Sequence, residues 1–212
     1  MSGIQVSQKL IVFVTFLPLF FISLAIHEFA HAYTAYKFGD STAKKLGRLT
    51  LNPIKHIDLV GSIIMPLLSF ASGFMLIGWA KPVPIDPRNF KNQLKDDAIV
   101  SAAGPISNFV LAFLFFLILS FLNSSFPDQL IILKKISWLG IYFNVFLFAF
   151  NLLPIPPLDG SHILFDLFPN KITAKYLTFG VYGTVILFLF IYSPLWGLFM
   201  KFVYFIVKIF FI

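Results

Sequence analysis

The sequence predicts an all-α polytopic membrane protein, and three observations carry that prediction. Of 212 residues, 58% are hydrophobic and only 12% are charged, whereas a soluble domain carries about a quarter charged residues. One domain of this length has too small a core to hide such an excess, so its natural solvent is a bilayer. Long apolar runs recur along the chain, and the first has no charge from Leu10 to Ile26. The third observation is chemical: glutamate occurs once in the whole chain, as Glu28, between His27 and His31 at the end of that run.

A single membrane-embedded domain is expected over residues 1–212, with a core at about 8–165 and C-terminal membrane helices at 176–212. The first apolar segment runs from Gln8 to Tyr36, more than the ~20 residues that cross the hydrocarbon core. Its leading part resembles a signal peptide in length. However, only Lys9 precedes it and no small-residue cleavage site follows, so it reads as a retained transmembrane helix. In the polar stretch that follows, Lys37 to His56, the alternation in "GRLTLN" (Gly47 to Asn52) predicts a short β element. The second apolar segment, Ile57 to Trp79, carries Pro66, Ser69, Ser72 and Gly73 near its middle. That cluster suits either a spanning helix or a hairpin that dips in and returns. The third segment, Ala98 to Leu122, is long enough to span, and a fourth covers Ile136 to Leu153. The tail, Tyr176 to Ile212, is apolar but broken at Ser193-Pro194. The expected total is about five to six membrane segments.

Cysteine is absent, which excludes disulfides and thiolate metal sites. The net charge of +7 marks cytoplasmic loops of a membrane protein rather than nucleic-acid binding, so lipid is an expected partner and nucleic acid is not.

Residues i and i+4 share a helical face, so His27 and His31 in "HEFAH" can hold one ion. Glu28 projects near the same place, poorly set as a ligand but well set to take a proton from water that the ion activates. Zinc lowers the pKa of such water from 15.7 to about 7. The plain alternative is a pair of histidines hydrogen-bonded between packed helices. Three ionisable groups within two turns at membrane depth favour function, because such groups are costly there. A catalytic zinc needs a third protein ligand. "NLLPIPPLDGSH" (Asn151 to His162) offers both Asp159 and His162, on backbone that Pro154, Pro156 and Pro157 keep extended.

These motifs resemble the site-2 protease family of intramembrane zinc metalloproteases. The resemblance rests on His27-Glu-Phe-Ala-His31, Gly104-Pro-Ile-Ser-Asn108 and Asn151-Leu-Leu-Pro-Ile-Pro-Pro-Leu-Asp159-Gly160. It extends through "GRLTLNPIKHID" and "GWAKPVPID", and it is strongest to the minimal branch without a PDZ domain. It implies one Zn2+ per chain held by His27, His31 and Asp159, with Glu28 as the catalytic general base. It further implies that Gly104 and Asn108 orient substrate or the reacting carbonyl. His56 and Asn151 match family positions without a defined role.

That ligand set bears on the topology. If Ile57 to Trp79 crossed the membrane, Asp159 would lie most of a bilayer away from His31. A re-entrant hairpin restores parity, and loops 37–56, 81–97 and 154–175 then share one face. Eleven Lys and Arg lie on that face against three on the other, whereas four simple crossings divide them seven and seven. The positive-inside rule then turns the active site toward the cytoplasm, in a bacterial inner membrane. The expected function is hydrolysis of peptide bonds in or near transmembrane segments of another membrane protein. A divalent-metal transporter using the same three ligands is the alternative, although its loops should attract cations and these are basic.

Overall fold

In the computed structural model, which describes residues 2–72 and 78–212, the first apolar run forms one helix, α1 (Ser2–Lys37). Pro18 lies inside it and removes one intrahelical hydrogen bond. The helix stops at Gly39, whose φ of +111° favours glycine. There the Phe38 and Asp40 N–H groups donate to the Thr34 and Ala35 carbonyls, satisfying the last turn. A single turn, α2 (Thr42–Lys45), follows.

The short strand expected at Gly47 to Asn52 is not formed. The segment is turn and bend, and no strand occurs among the described residues. Local alternation needs a partner ladder, and here side chains take the polar groups instead. His56 Nε2 donates to the Thr50 carbonyl at 2.8 Å, Asn52 N–H donates to Thr50 Oγ1, and Arg48 donates to the Lys81 carbonyl at 2.7 Å.

The second apolar segment is a hairpin. It goes in as a π-helical stretch (Leu59–Ile64) continuing into α3 (Met65–Ser72). These 14 residues would rise only about 21 Å as an α-helix, short of a full crossing. Residues 73–77, which include Gly73, lie outside the described residues. The chain returns extended, and its two ends are joined. Trp79 N–H donates to the Gly61 carbonyl at 3.0 Å, Ser62 Oγ to the Trp79 carbonyl at 2.7 Å, and Lys81 N–H to the His56 carbonyl at 2.9 Å. Both ends therefore sit together, which fits the parity argument.

Two long helices complete the frame: α4 (Gln93–Ser125), capped by the Asn92 side chain, and α5 (Ile131–Asn151). Helix α4 is central and packs against α1 and α5 and against α6 (Asp159–Leu167). The remainder is α7 (Lys171–Leu177), α8 (Val181–Ile191) and α9 (Pro194–Ile209). Phe199, Val203 and Val207 of α9 are buried with Ile141, Val145 and Ala149 of α5 and with Ala112 and Leu119 of α4.

Among the described residues, three helices are long and apolar enough to cross a membrane, within Phe13–Lys37, Gln93–Ser125 and Ile131–Asn151. A fourth would be the pair Lys171–Leu177 and Tyr182–Ile191, bent by 83°. The expected five to six segments are thus not matched among the described residues. The difference lies in the tail, where Gly180 (φ +43°) and the Ser193-Pro194 break cut the apolar sequence into pieces too short to span alone.

Candidate metal centre

His27 and His31 project from α1 about one turn apart, and α6 begins at Asp159 opposite them. One ligand atom from each of these three residues lies within 4.8 Å of the others. His27 Nε2 is 3.0 Å from His31 Nε2 and 3.2 Å from Asp159 Oδ2, and His31 Nε2 is 3.4 Å from Asp159 Oδ1. Both histidines are buried. Their outer nitrogens are committed. His27 Nδ1 faces the Asn108 amide oxygen at 2.6 Å and His31 Nδ1 faces the Val100 carbonyl at 2.7 Å. Both partners are acceptors, so each Nδ1 carries the proton and each Nε2 presents a lone pair.

The arrangement fits a cation. Two imidazole lone pairs and a carboxylate converge, and Asp159 Oδ2 is buried with no hydrogen-bond partner. Without a positive charge among them these groups repel and stay unsatisfied. Two imidazoles and one carboxylate are the donor set of a catalytic zinc. Gly104 supplies the room. A Cβ at that position would stand 2.6 Å from His27 Nε2 and closer still to His31 Nε2.

Glu28 lies beside the ligands, 9% exposed, and its Oε2 accepts the Val83 N–H at 2.7 Å. Val83 belongs to the extended return of the hairpin, and that return is fastened by Asp40, which is fully buried. Asp40 accepts from Asp86 N–H at 2.9 Å, from Asn89 Nδ2 at 2.8 Å and from Thr42 N–H at 3.0 Å.

The structure brings His27, Glu28, His31, Asp159, Gly104 and Asn108 together. Asn108, which the resemblance implied would orient substrate or the reacting carbonyl, is completely buried and holds His27. His56 ties down the Thr50 loop and is not among the clustered ligands. The Asn151 amide donates back to the Leu147 carbonyl at 2.9 Å in its own helix. His162, the other candidate for third ligand, is half-exposed and 3.8 Å from Asp97. Sequence reasoning missed Asp40, Val83, Val100 and Asn144. Asn144 and Asp40 left a signal, as an amide set among Phe143 and Val145 in an apolar run and a lone acid among basic loop residues. The Val83 and Val100 contacts are made by backbone and left none.

Asp166, on α6, is 8% exposed and its Oδ2 lacks a partner. Burial and the neighbouring Asp97 carboxylate push its pKa up to about 7, against an opposing pull from His162. An unfolded aspartate titrates near 3.9. The folded state therefore holds the extra proton between these values, and stability falls as pH rises through that window. Asp166→Asn should raise the thermal midpoint in detergent at pH 8, with a smaller gain at pH 5. A larger gain at pH 5 would contradict this account.

A His, His, Asp centre with buried histidines and a carboxylate alongside, inside a bundle of membrane-length helices, defines a membrane-embedded metallohydrolase. The chain belongs to peptidase family M50, whose profile matches residues 15–137 and 128–191, and it is accordingly a metalloprotease. It is 43% identical over 178 residues to a Bacillus subtilis (strain 168) protein named "Putative zinc metalloprotease YwhC", covering 82% of this chain and 78% of that one. It is 38% identical over 153 residues to "Putative zinc metalloprotease Rip2" of Mycolicibacterium smegmatis, covering 70% of this chain and 55% of that one. The Rip2 protein of Mycobacterium tuberculosis is 35% identical over 154 residues, with the same coverage. The chain thus spans about half the length of the mycobacterial relatives. No solved structure matches it.

Proposed function

We propose that this protein is an intramembrane zinc endopeptidase that cleaves other membrane proteins in or near their transmembrane segments, as in regulated intramembrane proteolysis. The observation that carries the reading is the placement of two ligands, His27 and His31, and the base in one membrane-length helix. His31 lies six residues before the end of α1, about 10 Å along the axis. His27, His31 and Asp159 would hold the ion, and zinc when bound supplies Lewis acidity toward a scissile carbonyl and an attacking water. Glu28 takes the proton from that water and returns it to the leaving amine, while the Val83 N–H keeps its carboxylate in place. A helical substrate must unwind first, because its carbonyls are hydrogen-bonded. The extended stretch through Val83, which reaches the base, is where an unwound substrate would lie by strand addition.

The transporter reading is not favoured. Loops 37–56, 81–97 and 154–175 carry eleven Lys and Arg, and the chain falls in a peptidase family. The same charge bias supports a cytoplasm-facing site in a bacterial inner membrane. Cysteines introduced at Ser41 and at Asn92, in a chain with none of its own, should both label from the cytoplasmic side. Labelling from opposite faces would refute that orientation.

The substrate class is tested in cells by comparing membrane-protein fragments made with the wild type and with Glu28→Gln. Fragments ending within or beside a transmembrane segment should appear only with the wild type. Identical fragment sets would overturn the proposal.

A further inference from the structure

We infer that Asn144 is a positioning residue for the metal centre, acting on His27 through Asn108. The three side chains form one polarised chain across α1, α4 and α5. The Asn144 amide nitrogen donates to the Gly140 carbonyl at 2.9 Å, and its oxygen accepts from the Asn108 amide nitrogen at 3.0 Å. The Asn108 oxygen faces His27 Nδ1 at 2.6 Å. Asn108 and Asn144 are both completely buried, so water cannot substitute for either partner.

The direction of this chain is fixed at its far end. A backbone carbonyl only accepts, so the amide nitrogen of Asn144 must face Gly140 and its oxygen must face Asn108. Asn108 is thereby turned with its nitrogen toward Asn144 and its oxygen toward His27. Only that orientation lets His27 Nδ1 carry the proton and leaves Nε2 free to bind a metal. A flipped Asn108 would present a donor to Nδ1, move the proton to Nε2 and remove a ligand lone pair. The Ser23 carbonyl, 3.3 Å from the Asn108 nitrogen, favours the same orientation more weakly. Loss of Asn144 should therefore weaken metal binding rather than abolish it. A buried amide at membrane depth is costly without such a task. Asn144 stands in an otherwise apolar stretch of α5, with Phe143 and Val145 on either side.

The inference rests on the metal-site reading and is tested on the full-length chain in detergent with Zn2+ alone, by competition with a chelator. Asn144→Leu keeps the volume and removes the acceptor. Asn144→Asp keeps the acceptor, because a carboxyl buried there stays protonated, donating to Gly140 and accepting from Asn108. Zinc affinity should fall about tenfold or more in Asn144→Leu, within the range typical of groups that orient a ligand. It should stay within about threefold of wild type in Asn144→Asp. A pure packing role would rank them the other way, with leucine the better tolerated. Asn144→Ala, which removes the same acceptor, should lose affinity like leucine and serves if the leucine variant does not fold. Wild-type affinity in both Leu and Ala, or equal losses in Leu and Asp, would overturn the inference. Failure of the wild type itself to bind zinc would instead refute the metal site.

Discussion

Glu28→Gln should abolish nearly all proteolysis while leaving fold and zinc in place. The amide matches the carboxylate in size, and its carbonyl oxygen can still accept the Val83 N–H that Glu28 Oε2 accepts at 2.7 Å. The hairpin return therefore keeps its anchor. His27 and His31 keep their Nδ1 partners on Asn108 and Val100, so metal content should remain about one per chain. What is lost is a group able to take the proton from water, and removing a general base costs about 10² to 10⁴ in rate. The measurement is turnover of a membrane-protein substrate in detergent, with zinc content determined on the same sample. Cleavage by Glu28→Gln at the wild-type rate would refute the catalytic role given to Glu28.

Gly104→Ala should have the opposite signature, with metal lost first and activity lost as a consequence. The added methyl group would stand 2.6 Å from His27 Nε2 and closer to His31 Nε2, inside the space the ion would occupy. The rings have little freedom to withdraw, because His27 is held by Asn108 and His31 by Val100. Disturbing groups that merely orient ligands costs about 10- to 100-fold in metal affinity. Displacing the ligand atoms should cost at least the upper end of that range. Alanine also favours helix over glycine by about 1 kcal/mol, so α4 itself should not weaken. Zinc retained at wild-type affinity in a folded Gly104→Ala chain would show that the pocket does not lie where the three ligand atoms converge.

The two variants separate the parts of the centre. One removes the base and spares the ligands, and the other removes the ligand geometry and spares the base. Asp159 should behave like Gly104 in such a comparison, because Asp159 meets the histidines and His162 does not.

The sequence by itself determined the solvent of this protein and the pairing of His27 and His31 on one face of α1. Composition fixed the first, since a 58% apolar chain of 212 residues cannot bury its surface in water. The i, i+4 spacing fixed the second, because helical periodicity places His27 and His31 together whatever the rest of the chain does. Charge parity and the implied ligand set favoured a hairpin for the second apolar segment, and its ends are joined at Gly61 and Trp79.

Only the tertiary structure decided the rest, and in each case the reason is a contact made at long range. The resemblance implied Asp159 as third ligand, but what sets it against His27 and His31 while His162 stays beside Asp97 is how α6 docks on α4, which no local pattern encodes. The turn at Gly47 to Asn52 depends on His56 and Arg48 claiming its surroundings, so a local alternation misled. The tail apolar enough for membrane helices is cut into short ones, and α9 packs back on α5. Asn108 links His27 to Asn144 because α5 brings Asn144 to its other side. The grip on Glu28 comes from a backbone N–H at Val83, held there by Asp40 more than 40 residues away. Backbone donors have no residue signature, so their role emerges only when folding sets them against a side chain.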